Sequence, residues 1–289
     1  RERYDVPIRS HDFSPTTVAA TPAITREQRR DRAIALAHAG SLSAIDLLRE
    51  VMADASAAER VTLSSHLMGG LVASERIEEA EAFLPERLAV LREAGHPAQA
   101  AAEERLGLVL FGQGLETAGD VLRAEVAAAA SAPAEVRADL LATLAVAQMY
   151  EGAFTDAQEN ARTAARLFAE AGDTTRAQGV RLLEVDAAAS AGAIDEARAV
   201  IEGLLASDIS DGRRARATAT RARLHGAAQE FAEGAAVADE TVRLLLTLGA
   251  DDLRIGEAFV LAGALHEDAG SASLAAGRYR SAVERLESA

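Results

Sequence analysis

A small residue recurs at a nearly constant interval along this chain: Ala80, Ala118, Ala157, Ala197, Ala235 and Ala275 stand 38, 39, 40, 38 and 40 residues apart. Each follows a corner. In the clearest copy, Gln148-Met149-Tyr150-Glu151-Gly152-Ala153-Phe154-Thr155-Asp156-Ala157-Gln158, an Ala- and Leu-rich run stops at Gly152. A large residue, Phe154, comes two places later and a small one, Ala157, five places later. Glycine accepts the positive φ that ends a helix, the large side chain plugs the crotch of a hairpin, and the small one lets two helices approach closely. A period held this tightly predicts stacked helix pairs, each packed on its neighbours, so the 289 residues need not divide into separate domains.

Composition agrees with close helix packing. Apolar residues make up 49% of the chain and aromatics only 3%, which favours alanine-lined contacts over a bulky globular core. The formal net charge of -15 opposes binding to nucleic acid or to an anionic membrane. Cysteine is absent, which excludes disulfides, thiolate metal sites and a Cys nucleophile. All 30 basic residues are Arg, which excludes Schiff-base and P-loop lysine chemistry; GC-rich codon usage or selection against lysine modification would account for it. No run of about 18 apolar residues occurs and Arg1-Glu2-Arg3-Tyr4 lacks a signal-peptide core, so a cytoplasmic protein with no membrane partner is expected. The start at Arg1 suggests a piece of a longer protein.

Along the chain, residues 1–23 hold three of the six prolines and no helical periodicity. They read as an extended leader, docked on the array or linking to an upstream domain. The array itself is expected over 24–289. Thr25-Arg26-Glu27-Gln28 is a capping-box pattern that opens the first hairpin, which turns at Gly40 and continues through Leu42, Ile45 and Leu48 to about Ala53. The second bends near Ser74-Glu75 and reaches Gly95-His96-Pro97, with Pro85 predicted to kink or split its second helix. Further corners fall at Gly114, Gly152, Gly192 and Gly270. One more corner lacks glycine but keeps Phe231 and the small pair Gly234-Ala235.

Chemistry is hard to find. The six histidines show no HExxH pattern, no GxSxG or GxGxxG occurs, and Ser64-Ser65-His66 reads better as a polar helix face than as a nucleophile. No catalytic residue, metal ligand or cofactor is assigned, and a non-enzymatic protein is expected.

The pattern of Leu106-Gly107, Leu110, Gly114 and Ala118, and of Leu144-Ala145, Gly152, Phe154 and Ala157, resembles the tetratricopeptide repeat (TPR) over roughly residues 26–287. Long links such as Glu93-Ala94-Gly95-His96-Pro97 and Leu248-Gly249-Ala250-Asp251 make it similar to the long-repeat arrays of bacterial signalling ATPases and transcription regulators. The resemblance implies an all-α solenoid, a right-handed superhelix of about seven helix pairs, with a ligand groove lined by the first helix of each pair. Its groove positions fall on Glu104, Leu108 and Phe111; on Asp139, Val146, Met149 and Tyr150; on Leu182 and Asp186; on Arg216, Ala219 and Arg223; and on Glu257, Glu267 and Asp268. An apolar centre flanked by charge suits an extended peptide, while Phe111, Met149 and Tyr150 could equally be core between repeats. Residues 213–223 hold five Arg, of which Arg216 and Arg223 would face the groove and Arg213, Arg214 and Arg221 need not. They could grip a carboxylate or pair with Glu184, Asp186 or Glu257. The implied function is a protein- or peptide-binding scaffold or sensor, with residues 1–23 as a candidate tethered occupant of the groove. The alternative is a regulatory module of a larger signalling protein, an ATPase-linked transcription regulator or a TPR-linked protease.

Overall fold

The computed structural model describes residues 25–288 except 75, 98, 102, 105, 106, 108–110 and 112–114, so the leader and the Gly114 corner lie outside the described residues. Every regular element described is a helix. The first four are α1 (Arg26–Ala39), α2 (Ser43–Ala53), α3 (Ala57–Ala73) and α4 (Ile77–Glu93). Helical residues within 97–111 form α5, described in part. There follow α6 (Leu115–Ala128), α7 (Ala134–Glu151), α8 (Phe154–Glu170), α9 (Thr174–Ser190) and α10 (Ile194–Leu205). The last four are α11 (Asp211–Ala227), α12 (Phe231–Leu248), α13 (Asp252–Asp268) and α14 (Ala272–Leu286). No helix among the described residues is long and apolar enough to cross a membrane.

The corners form as their residues dictate. Thr25 and Gln28 close a reciprocal capping box at the start of α1. Gly152 caps α7 at φ 75°, and the N–H of Ala153 returns to the carbonyl of Gln148 at 2.9 Å, satisfying an end-of-helix acceptor. At the corner without glycine, Gln229 takes the left-handed conformation itself, at φ 62°. The small residues after the corners are buried, with Ala80, Ala157, Ala197, Ala235 and Ala275 all at 4% exposure or less. In α8 the buried set Ala157, Ala161, Ala164, Ala165 and Phe168 forms one stripe at helical spacing.

Pro85 does not split its helix. Helix α4 runs unbroken from Ile77 to Glu93 with Pro85 inside it. Pro85 and Glu81, whose carbonyl loses its usual donor, are both exposed, so water meets the freed acceptor while Ala80, Leu88 and Leu91 hold the other face in the core.

Described helices adjacent in the chain pack on one another, as a solenoid requires. Odd-numbered helices also touch the next odd one, α1 with α3, α7 with α9, α9 with α11 and α11 with α13. Even-numbered helices among the described residues meet through side chains, as Arg49 of α2 does with Glu79 of α4 and Arg278 of α14 with Asp239 of α12, without the close backbone approach of the odd-numbered set. The array therefore curves with the odd-numbered helices inside. The curve brings α1 against α11 and α12, and one apolar cluster runs from Leu36, Ile45 and Leu48 into Ala215, Val242, Leu245 and Phe259. The first hairpin thus lies across the mouth of the concave side.

Candidate functional site

The seam between the first hairpin and α11–α13 is built from side chains about 200 residues apart in sequence. Its tightest point is Gly212, where an added Cβ would sit 1.7 Å from the Ala35 carbonyl oxygen and 3.0 Å from the Ala39 nitrogen. Only a residue without a side chain lets α11 come this close to the backbone of α1. Asp251 works on both sides of the seam. It caps α13 by accepting from the Arg254 N–H at 3.0 Å, accepts from the Leu42 N–H at the start of the second helix at 2.7 Å, and takes a short hydrogen bond from the Ser41 hydroxyl. Burial opposes its ionisation, but the Ser41 hydroxyl and the N–H groups of Arg254, Leu42 and Ser43 hold its carboxyl below the usual range. The Arg254 guanidinium adds a bond to the Ala39 carbonyl at 3.2 Å.

His38 completes the seam. Arg213 donates to its Nε2 at 3.0 Å, so the ring proton sits on Nδ1 and is donated to the Ser210 hydroxyl at 2.6 Å. Ser210 is in turn the N-cap of α11. Burial, together with Arg213, His66 and Arg216 nearby, drives the His38 pKa down to about 2, so the imidazole is neutral. The His66 ring meets it edge-on at 4.7 Å between centroids, and burial and Arg213 lower His66 to about 4. His66 Nε2 is buried without a hydrogen-bond partner among the described residues.

Beneath the seam lies a cavity of about 700 Å³, partly open to solvent and lined by residues of α1, α2, α3, α7, α8, α9, α11 and α13. Ile45, Leu48, Phe168, Val180 and Leu182 give it an apolar wall. Its charged lining is Arg213, Arg216, Arg176 and Asp139. Asp139 is already engaged by Arg176, at 3.0 and 3.1 Å, and by Gln99 at 3.3 Å, and burial raises it to about 7 against the pull of Arg176. Arg213 is 5% exposed, and among the described residues its guanidinium bonds only the neutral acceptors Gln178, at 2.8 Å, and His38. Burial lowers it to about 10, with Arg216 adding to the effect and Asp173 opposing it through space. Arg216 has no hydrogen bond or ion pair among the described residues and its side chain is exposed at the rim of the cavity; the protein around it lowers its pKa, while Asp186 is close enough to oppose that through space alone. In a protein of net charge -15, this cavity carries an excess of cations.

The residues singled out from the sequence are spread more widely than this cavity. Asp139, Leu182 and Arg216 line it. Asp186 lies within the electrostatic reach of Arg216 and Arg223. Arg223 is exposed and donates to Thr220 at 2.9 Å. Met149 packs among Ala145, Ala157 and Ala187, as core between hairpins, and Phe111 packs on the core under the first hairpin. Val146 and Ala219 are partly buried, and Tyr150 is 63% exposed. Glu104 pairs with Arg92 at 2.9 Å, Glu257 with Arg254, and Glu267 accepts from the Tyr279 hydroxyl at 2.9 Å, while Asp268 is exposed. Leu108 lies outside the described residues. Of the acids weighed as partners for the arginine run, Glu184 bonds Arg162 at 2.8 Å instead. Arg214 and Arg221 face a separate hollow with Glu202 and Glu240, as helical spacing implies. Arg213 does reach the cavity. Spacing within α11 does not reveal this, because its acceptor His38 comes from a helix 175 residues away. His38 and His66 likewise carry no local motif, and only the long-range fold joins them.

No family model and no curated protein matches this chain. Solved structures do. BtubC (BKLC) from P. vanneervenii superposes with a TM-score of 0.53 at 14% identity, over 81% of this chain and 92% of that one. A Signal Transduction ATPase with Numerous Domains (STAND) protein with a tetratricopeptide repeat sensor, PH0952 from Pyrococcus horikoshii, superposes with a TM-score of 0.52 at 12% identity. That match takes in 85% of this chain and 38% of the STAND protein. At such identities the likeness is one of fold, an all-helical array similar to a TPR sensor.

Proposed function

We propose that this chain is a non-enzymatic sensor module of a signalling protein, a right-handed superhelix of about seven TPR-like pairs that takes its ligand in the concave lumen. The observation that carries this reading is the seam, which narrows the concave side to a partly open cavity of about 700 Å³ under a hairpin held by Asp251, His38 and Gly212. An extended peptide needs an open groove, and here α1 lies across it. A small ligand needs an enclosed space with a few polar groups converging on an apolar wall. The likeness to a TPR sensor supports a regulatory role on grounds of fold. Release of the first hairpin would free the concave side for a protein partner, so occupancy of the lumen and access to the groove would be alternatives.

The absence of cysteine makes the test direct. Spin labels on Arg29→Cys in α1 and Arg243→Cys in α12, both exposed in the native chain, report the separation across the seam. A sensor gives two distance populations, and Gly212→Ala raises the longer one. A single distance, identical in the Gly212→Ala background of a chain with unchanged helicity, describes a static scaffold and overturns the sensor reading.

A further inference from the structure

Arg213 and Arg216 lack a contacting counter-charge among the described residues. These two of the lumen's three arginines have no carboxylate within ion-pairing distance among the described residues, Arg213 almost wholly buried and Arg216 exposed at the rim, with Asp173 and Asp186 acting on them only through space. The one carboxylate in the wall is held by Arg176 and is pushed toward its neutral form. A buried charge left without a counter-charge is costly, and it is relieved when an anion of matching shape arrives. Arg213 and Arg216 are three residues apart on α11, one turn of one face, and so can converge on a single group. Guanidinium forks bind planar carboxylates and phosphate oxygens through paired N–H donors. His66 Nε2, buried in the same wall and unpartnered among the described residues, adds a third polar atom, and Ile45, Leu48 and Leu182 supply an apolar wall.

We propose that the lumen is a binding site for a small oxyanion with an apolar body, its carboxylate or phosphate held between Arg213 and Arg216 and its hydrocarbon part against Ile45, Leu48 and Leu182. The cavity volume of about 700 Å³ is that of a site for a metabolite rather than a protein segment. The site rests on the sensor reading for its purpose but not for its existence. Because Arg213 also bonds His38 across the seam, an anion on Arg213 acts on the same contact that holds the first hairpin in place.

The test uses hexanoate and hexyl phosphate as probes, with hexanol as the uncharged control, in thermal unfolding and titration calorimetry of the full chain. At least one anion raises Tm with concentration where hexanol does not, and the tighter of the two identifies the head group. Arg216→Gln weakens that binding at least tenfold. Arg216 has no hydrogen bond to lose among the described residues, and the through-space attraction of Asp186 is offset by repulsion from Arg254 and Arg223, so this variant keeps a ligand-free Tm close to that of the native chain. Arg213→Gln also loses binding, with a lower ligand-free Tm because two hydrogen bonds go with it. If neither anion outperforms hexanol at millimolar concentration, or if Arg216→Gln responds like the native chain, the site does not exist. The label distances keep the two ideas apart. Binding without any change of distance retains the site and removes the sensor role, whereas two distances with no anion binding retain the sensor role and remove the ligand class.

Discussion

Gly212 and Gly203 are both helical glycines, and substitution by alanine should affect them oppositely. At Gly203 an added Cβ meets nothing within 4 Å, so Gly203→Ala gains helix propensity and stabilises by about 0.5–1 kcal/mol. At Gly212 the same methyl group meets the Ala35 backbone, which cannot rotate away, and Gly212→Ala destabilises by about 1–3 kcal/mol. Urea unfolding of the two variants measures the contrast. Gln229 offers a third case, since its left-handed backbone carries a side chain that disfavours it by about 1–2 kcal/mol. Gln229→Gly is expected to raise the unfolding free energy by about 1 kcal/mol, and an unchanged midpoint would mean the position is unstrained. The pattern at Phe231 and Gly234-Ala235 located this corner without its glycine, because the residues around a turn are selected by packing as well as by φ. The same reasoning does not reach Met149 or Tyr150. Core and groove positions on an inner helix have the same apolar character, and only the neighbouring hairpin decides between them, burying Met149 and leaving Tyr150 out.

At the scale of the element, α1 is held by a neutral histidine, which gives its docking a pH dependence. His38 faces Arg213 and Arg216 from α11 and His66 from α3, while His66 faces Arg213 and Arg87, with Asp173 opposing them. Both folded pKa values lie below the ordinary 6.5 of histidine. The unfolded chain therefore binds more protons below pH 6.5, and the stability these rings contribute is complete above 6.5 and falls as pH falls. Asp139 works the other way, since its folded pKa of about 7 lies above the ordinary carboxylate value and favours the folded state as pH falls below 7. A global midpoint mixes the two, so hydrogen exchange resolved by helix is the measurement. Between pH 7 and 5, α1 should lose protection relative to α8, and His38→Gln should flatten the slope; equal slopes in both proteins would remove His38 from the account. The sequence made the helices and their order legible because a period near 39 and glycine corners are local signals. The docking of α1 on α11 has no such signal. Gly212 sits at the head of an arginine run and His38 in the last turn of an ordinary amphipathic helix, and nothing near either one names the other.

For the whole molecule, the seam changes what kind of object the array is. An open stack of repeats is held by neighbour contacts alone, so its ends fray and its stability adds up pair by pair. Here α1 is also bound to α11 and α12, across most of the chain length. The native chain should unfold in one sharp transition with a large denaturant slope. Gly212→Ala should broaden the transition and lower the slope, because the first hairpin then melts on its own. Two superimposable profiles would show that the seam adds no cooperativity.

The contact between Gly212 and Ala35 also bears on how the chain reaches its folded state. The hairpins can form one after another as each pair of helices meets a local neighbour, a fast and sequential process. The clasp cannot. It must wait until α11 exists, while the apolar inner face of α1, with Leu36 and Ala39, has already been made. During synthesis that surface stays uncovered for the time needed to add more than 170 residues, which at about 5–20 residues per second is on the order of ten seconds or more. The first hairpin is therefore both the earliest part of the array to appear and the last to find its place, and for that interval it is the part most open to capture by another molecule.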